Sequence, residues 1–381
     1  MKQRHRALEE TEGAGGPKQF IYLLGFSVPQ CLRGAKVLFL VAASSRRDSV
    51  VQRFCLRRRS KIYILRTKEQ GAVVNQLNWP ELDWEQWKET ADTLHMFMQI
   101  VGKTRVALTP RQNHWWNVPL YVTARGLTTS VMPLPTGGLL DIEFDFIAHE
   151  LVFRSGSRPI ERLKLRPQPV AAFFAEYLAV LAKLSVNVHI DPMPAELPQP
   201  IRFDQDTTHK SYDADAVSRF WRALSTADTL LKRFSTNFYG KISPAHFFWG
   251  AMDLAVTRFN GRRAPARPGA DAIQAEAYSH ECISAGFWPG NGGYGQAAFY
   301  AYAAPVPEGL SETILKGPGS FNKSLGEFIL NYDEVRQSPH PAQAVLDFLD
   351  ETYSAAANAA GWDRASLDRH DAIADAAVHR S

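Results

Sequence analysis

WEQWKETADTLHMFMQIVGKTRVALTPRQNHWWNVPLYVTARGL, Trp84–Leu127, decides how this chain is organised, because a later stretch repeats its order. That stretch is FWRALSTADTLLKRFSTNFYGKISPAHFFWGAMDLAVTRFNG, Phe220–Gly261. TADTL begins at Thr90 and again at Thr226. Gly102-Lys103 corresponds to Gly240-Lys241, and His114-Trp115-Trp116 to His246-Phe247-Phe248. One repeated pentamer is weak evidence, but ordered landmarks at nearly constant spacing indicate an internal duplication. Trp84, Trp87, Ala91, Leu94, Met98 and Val101 fall at helical spacing, as do Phe220, Leu224, Ala227, Leu231 and Phe234. Each helix is expected to stop near its Gly.

Working outward, Trp115–Thr123 is apolar on both alternating sets and reads as a strand buried on two faces. Leu139–Phe146 alternates strictly, with Leu140, Ile142, Phe144 and Phe146 on one face. Glu150–Arg154 and Ile160–Leu165 extend an antiparallel meander around the turn SGSRP, and Val170–Leu184 closes the unit as a helix. In the second stretch Gly326–Asp333 reads as a strand and Pro341–Ala360 as an amphipathic helix. The expected fold is therefore α+β: two helix–antiparallel-meander–helix halves packed together. Repeat 1 is expected over 77–200, ending in the Pro-rich linker Pro192–Pro200, and repeat 2 over 201–363, with an inserted loop at 262–320 and a tail at 364–381.

The composition supports a packed body. Of 381 residues, 45% are hydrophobic and 22% charged, and the formal charge is +4. That charge is uneven: residues 1–69 hold 15 Lys and Arg against 5 Asp and Glu, and the rest hold 28 against 34. A basic head thus precedes an acidic body. Residues 1–76 are expected to be a disordered extension or a mis-assigned start, since no Met lies between Met1 and Met96. A nucleic-acid or anionic-surface arm is the functional alternative. The body itself is not expected to bind nucleic acid. Val37–Ala43 is far short of the roughly 20 apolar residues of a membrane span. Pro29, Arg33 and Lys36 interrupt any secretory pattern. Cys31, Cys55 and Cys282 form no zinc spacing. The chain reads as cytoplasmic, with a small-molecule partner, no metal site, an unassigned cofactor and an open oligomeric state.

Candidate chemistry concentrates where the two stretches meet and in the insertion. His114 and His246 hold corresponding positions and would converge if the halves pack about a pseudo-twofold axis. His280 and Glu281 adjoin in AYSHECISAGFWPG, although neighbours on a strand face opposite ways. The catalytic candidates are His246, His280, Glu281 and Asp253, with the histidines exchanging protons and Glu281 or Asp253 orienting one of them. The ligand-binding candidates are His114, Trp116, Arg125, Arg258, Trp249 and Trp288, with Arg125 or Arg258 holding an anionic group. The Tyr278–Gly295 segment would cap the site. The structural alternatives are a buried Asp253–Arg258 pair that fixes the sheet, and aromatic runs that build only core. Under those alternatives the chain is a non-catalytic ligand-binding or interaction module. Gly290–Gly295 lacks the GK[ST] ending of a phosphate cradle, and neither HExxH nor GxSxG occurs.

NHWWNVPLYVTARGLTTS, PAHFFWGAMDLAVTRFNGR and AYSHECISAGFWPG together closely resemble a bacterial family known only as domain of unknown function 5996. The resemblance covers about Trp79 to Trp362 and leaves the basic head outside. It implies one repeated α+β architecture in a soluble bacterial protein, and it brings no activity with it.

Overall fold

The computed structural model describes residues 77–369. The expectations for residues 1–76, and for the tail beyond Arg369, lie outside the described residues. Helix α1, Trp84–Leu108, starts where the Asp83 side chain accepts a hydrogen bond from Glu85 N at 3.1 Å. It is followed by the short turn Asn113–Trp115 and then by β1 (Tyr121–Val122), β2 (Gly126–Thr128), β3 (Met132–Pro133), β4 (Leu139–Asp145), β5 (Glu150–Arg154) and β6 (Glu161–Lys164). Helix α2, Val170–Lys183, closes this unit. The strands form one antiparallel sheet in the order β1-β2-β4-β5-β6, with β3 paired to β4.

Helix α3, Ala214–Ser235, repeats the capping chemistry through Asp213, which accepts from the backbone N–H groups of Asp215 and Ala216. The chain then runs through β7 (Lys241–Ile242), β8 (His246–Phe248), β9 (Asp253–Arg263), helix α4 (Ala272–Ala277), β10 (His280–Trp288), β11 (Ala298–Ala304), β12 (Ser320–Asn322) and β13 (Glu327–Asn331). Helices α5 (Tyr332–Arg336), α6 (Pro341–Ala359) and α7 (Arg364–Leu367) follow. This larger antiparallel sheet has the order β12-β13-β11-β10-β9-β7, with β8 paired to β9. The architecture is α+β, and no helix among the described residues is long and apolar enough to cross a membrane.

Several sequence expectations need correction. Residues 262–320 are not a loop: they supply α4, β10 and β11, and the latter two stand in the middle of the larger sheet. Trp115–Thr123 is not a buried strand. His114 and Trp115 take left-handed backbone conformations, with φ of 56° and 58°, so the chain turns there and only Tyr121–Val122 is extended into a ladder. Gly102 does not end α1. It lies inside the helix, where an added Cβ would fall 2.3 Å from the Trp249 indole. Gly240, its counterpart by sequence, follows α3 in the turn before β7.

The core explains the layering. Period-2 alternation puts Leu140, Ile142 and Phe144 inward on β4, all fully buried. Their neighbours Asp141, Glu143 and Asp145 face outward, where basic residues meet them. Arg154 pairs with Asp141 at 2.9 Å and Glu143 at 2.6 Å, and Arg125 with Asp145 at 2.6 Å. On β5, Glu150 meets Arg162 and Lys164. In the larger sheet Leu254, Val256 and Arg258 of β9 and Ile283, Ala285 and Phe287 of β10 face the side on which α3 packs. The opposite face carries Asp253, Ala255, Thr257 and Phe259, and it is that face that forms a cavity.

Candidate functional site

The cavity has a volume of about 520 Å³ and rests on the larger sheet. Its floor is set by register. Ser284 stands opposite Thr257 on β9 and opposite Tyr302 on β11, and their Oγ1 and Oγ atoms (Thr257 and Ser284) lie 3.0 Å apart. Gly286 stands between Ala255 and Tyr300. A Cβ there would lie 2.6 Å from the Tyr300 phenol, so only glycine lets this ring cross β10. The Tyr300 hydroxyl then donates to Asp253, and its ring stacks on Tyr302 at 6.1 Å. Tyr302 and Tyr278 join through their hydroxyls at 2.9 Å. Glu327, at the start of β13, completes the acidic end with Trp288 and Phe248. The Trp288 indole N–H donates to Asn291 at 2.6 Å, which fixes its ring against Tyr294.

A roof comes from the other half of the chain and from α4. The turn at His114 and Trp115 is held in its left-handed conformation, at a cost of roughly 1–2 kcal/mol per residue. His114 Nδ1 is 3.1 Å from the Ala277 carbonyl, and Arg111 pairs with Glu276. Strain of this kind tends to collect at functional sites. Glu196 lies exposed at the mouth, and its carboxyl is raised by loss of water and by the charge of Asp271.

The acids on this face differ from those on the smaller sheet. Asp253 and Glu327 make no ion pair among the described residues. Loss of water raises the Asp253 carboxyl from its ordinary 3.8 to about 7, and the hydrogen bond from Tyr300 offsets only part of that. Burial, with the nearby Asp253 charge, raises Glu327 to about 7 as well. Two carboxyls near neutrality facing one cavity can both hold and release a proton there. Among the described residues no group of three or more His, Cys, Asp or Glu could hold a metal ion.

The expected residues separate into those at the cavity and those elsewhere. His114, Trp116, Trp288 and Asp253 line it. His246 is 1% exposed and lies behind Trp116, with its ring 5.7 Å from that indole and 5.6 Å from Tyr121. Neither of its ring nitrogens has a hydrogen-bond partner among the described residues, and burial beside Arg105 pulls it down to about 4. His280 stands 5.7 Å from His114, so Trp116 and His114 lie between the two histidines expected to exchange protons. Glu281 is committed elsewhere: it accepts from Arg262 at 2.6 Å and from Asn260 at 2.7 Å. Asp253 and Arg258 do not meet, because an odd sequence separation on one strand puts them on opposite faces. Arg258 is fully buried, its guanidinium 3.5 Å from the Phe234 ring centre and 4.2 Å from that of Tyr353, and it donates to the Phe234 carbonyl at 2.6 Å. Arg125 belongs to the ion-pair ladder of the smaller sheet. Trp249 is a packing residue whose indole donates to the Val118 carbonyl at 3.0 Å. Tyr278–Gly295 is mostly β10 and so makes floor; α4 and the His114 turn make the cap.

Tyr300, Tyr302, Glu327, Thr257 and Ser284 were missed. Only the two tyrosines had a local signal, in the alternation of AFYAYAA, Ala298–Ala304, which places Tyr300 and Tyr302 on one face once it is read as a strand. These features define a two-sheet α+β protein with a ligand-sized cavity on the face of its larger sheet opposite α3. The chain belongs to DUF5996, a family of unknown function, which it matches over residues 79–369. Neither the comparison with curated proteins nor that with solved structures gave a match.

Proposed function

We propose that this cavity is a small-molecule site in which Asp253 and Glu327 carry acid–base chemistry, with Tyr300 holding the Asp253 carboxyl in place. One observation carries the reading: two half-buried carboxyls that form no ion pair among the described residues share an aromatic-walled cavity, in a chain whose other sheet pairs its outward acids. The volume of about 520 Å³ suits a small organic ligand, for which cavities of roughly 300–1,000 Å³ are usual. The acid–base role therefore moves from the histidine pair to the carboxyls, and Asp253 alone is kept from the catalytic candidates. The purified protein is expected to retain or capture a small molecule, read by native mass spectrometry and a thermal-shift screen. Trp288→Ala and Asp253→Asn should each lose it. If wild type binds nothing across the screen, or both variants bind as it does, the site is misassigned.

We also propose that the two halves arose by duplication. The Thr90 hydroxyl of the first TADTL accepts from Asp213 N at 3.0 Å, at the start of α3. In return the Thr226 hydroxyl of the second donates to the Asn78 carbonyl at 2.8 Å, shortly before α1. Such reciprocity is what a twofold relation between copies produces. An experimental structure should let α1 with its sheet superpose on α3 with its sheet so that Thr90 falls on Thr226. A best superposition that puts these threonines on different helix faces would exclude common descent.

A further inference from the structure

We infer that the acidic end of the cavity binds an organic cation, an amine or quaternary ammonium group carried on an apolar or aromatic body. The inference rests on the small-molecule reading above and names its ligand class.

Three features converge on this chemistry. First, Asp253 and Glu327 face the cavity without an ion pair among the described residues, and Glu196 adds a third acid at the mouth. A half-buried carboxylate without a counter-charge is costly, and a ligand that supplies the charge removes the cost. Second, the walls around these acids are the faces and edges of Trp288, Phe248 and Tyr300. Aromatic faces attract cations, most strongly where water is excluded. Third, the chain's own cations near this cavity are held against aromatic rings, and Lys241 stands at the far end of β9. Arg267 lies 4.1 Å from the Tyr278 ring centre, and Lys241 lies 5.1 Å from that of Trp116 and 5.3 Å from that of Phe259. Phe259 is six residues along β9 from Asp253, which is roughly 20 Å at strand rise. Neither cation forms an ion pair with Asp253 or Glu327 among the described residues.

A neutral polyol would fit the aromatic walls, but it leaves the carboxyls either charged without partners or protonated. An anion would add repulsion. A cation satisfies both the acids and the rings, so it gains most from this lining. Its binding favours the ionised carboxylates and so should release protons near neutrality. The groups facing these carboxyls are Tyr300, Tyr302 and Tyr278, Thr257 and Ser284, Glu196, Arg267, His114 and Cys282. The three tyrosines and Cys282 have their protons held more tightly than usual by burial, so they stay neutral across this range.

The test is a fluorescence titration of the full-length protein, with Trp288 and Trp116 as reporters. The probes are phenethylamine and its neutral counterpart phenethyl alcohol, with the anion phenylpropionate as a third arm. The amine should bind about tenfold or more tighter than the alcohol at pH 8, a cation–carboxylate and cation–π gain of modest size. That preference should shrink at pH 6 and vanish in Asp253→Asn/Glu327→Gln, a pair of near-isosteric changes that keeps the cavity shape. If the alcohol or the anion binds as well as the amine, and Trp288→Ala abolishes that binding, the cation assignment is wrong and the site stands. If no probe binds wild type, or Trp288→Ala binds unchanged, the site and the cation assignment fall together.

Discussion

Trp249→Ala is expected to lose about 3–5 kcal/mol of stability in urea denaturation, the usual range for truncating a buried large aromatic. Trp249 is 7% exposed, and its indole spans the junction between the halves. The indole N–H satisfies the Val118 carbonyl at 3.0 Å, and the Trp249 and Gly250 carbonyls accept from His95 Nε2 at 2.9 Å. Truncation leaves the Val118 carbonyl unpaired and empties the space over Gly102. Gly102 makes the argument sharper. A glycine inside a helix costs about 1 kcal/mol relative to alanine. Here the missing Cβ is what admits the indole, since a methyl would sit 2.3 Å from it. Gly102→Ala should therefore destabilise wild type, yet stabilise Trp249→Ala by about 0.5–1 kcal/mol through helix propensity alone. A double-mutant cycle measures this reversal of sign. Gly102→Ala with the same sign in both backgrounds would mean that the indole does not occupy this space.

This pair also shows how far the sequence could be read. Gly102 after an amphipathic run looked like a helix stop, because the local rule for glycine is strong and the partner indole lies 147 positions away in the chain. Periodicity, which depends on nearby residues, did better. It located α1, α3, α2 and α6, and it placed Leu140, Ile142 and Phe144 on one buried face. It failed at Trp115–Thr123 because alternating apolar residues say nothing of the two left-handed residues that bend the chain. The region 262–320 was misread for a different reason. Its turns are rich in Gly and Pro, and they drew attention from AFYAYAA and ECISAGFW, which are both central strands.

For the site, residue type misled more than position did. Histidines and arginines drew the expectation because their chemistry is versatile, but burial decides whether that chemistry can be used. His246 is sealed behind Trp116 and Arg258 is packed against Phe234 and Tyr353. Face assignment would have corrected one error directly. The odd separation of Asp253 and Arg258 on β9 already excludes a pair, and it leaves Asp253 needing a different partner, which is Tyr300. The two tyrosines on β11 and Glu327 on β13 become a site only when strand order and register bring them beside β9 and β10. No local pattern carries that information.

Asp253→Asn is expected to make the protein more stable at pH 8 while weakening the proposed ligand site. The folded carboxyl is raised to about 7 from an ordinary 3.8. Below pH 4 both folded and unfolded chains hold this proton, and the group costs nothing. Between about pH 4 and pH 7 the unfolded chain releases the proton while the folded chain keeps it, so stability falls as pH rises. Above pH 7 both forms are ionised, and the folded chain carries the full cost of a carboxylate with no counter-charge. At 1.36 kcal/mol per unit the ceiling is about 4 kcal/mol. Half-burial and the coupling to Glu327 reduce the expected gain to about 1–3 kcal/mol. The amide oxygen of Asn can still accept from Tyr300, so the variant removes charge without removing the hydrogen bond. Glu327 should also titrate lower in the variant, because part of its elevation comes from Asp253. Urea denaturation of both proteins at pH 5 and pH 8 decides the matter. The stability advantage of Asp253→Asn should be small at pH 5 and widen by pH 8. An advantage that is the same at both values, or none at either, would mean that Asp253 is an ordinary hydrated carboxylate. A stabilising substitution that costs binding would place Asp253 among residues kept for what they do rather than for what they hold together.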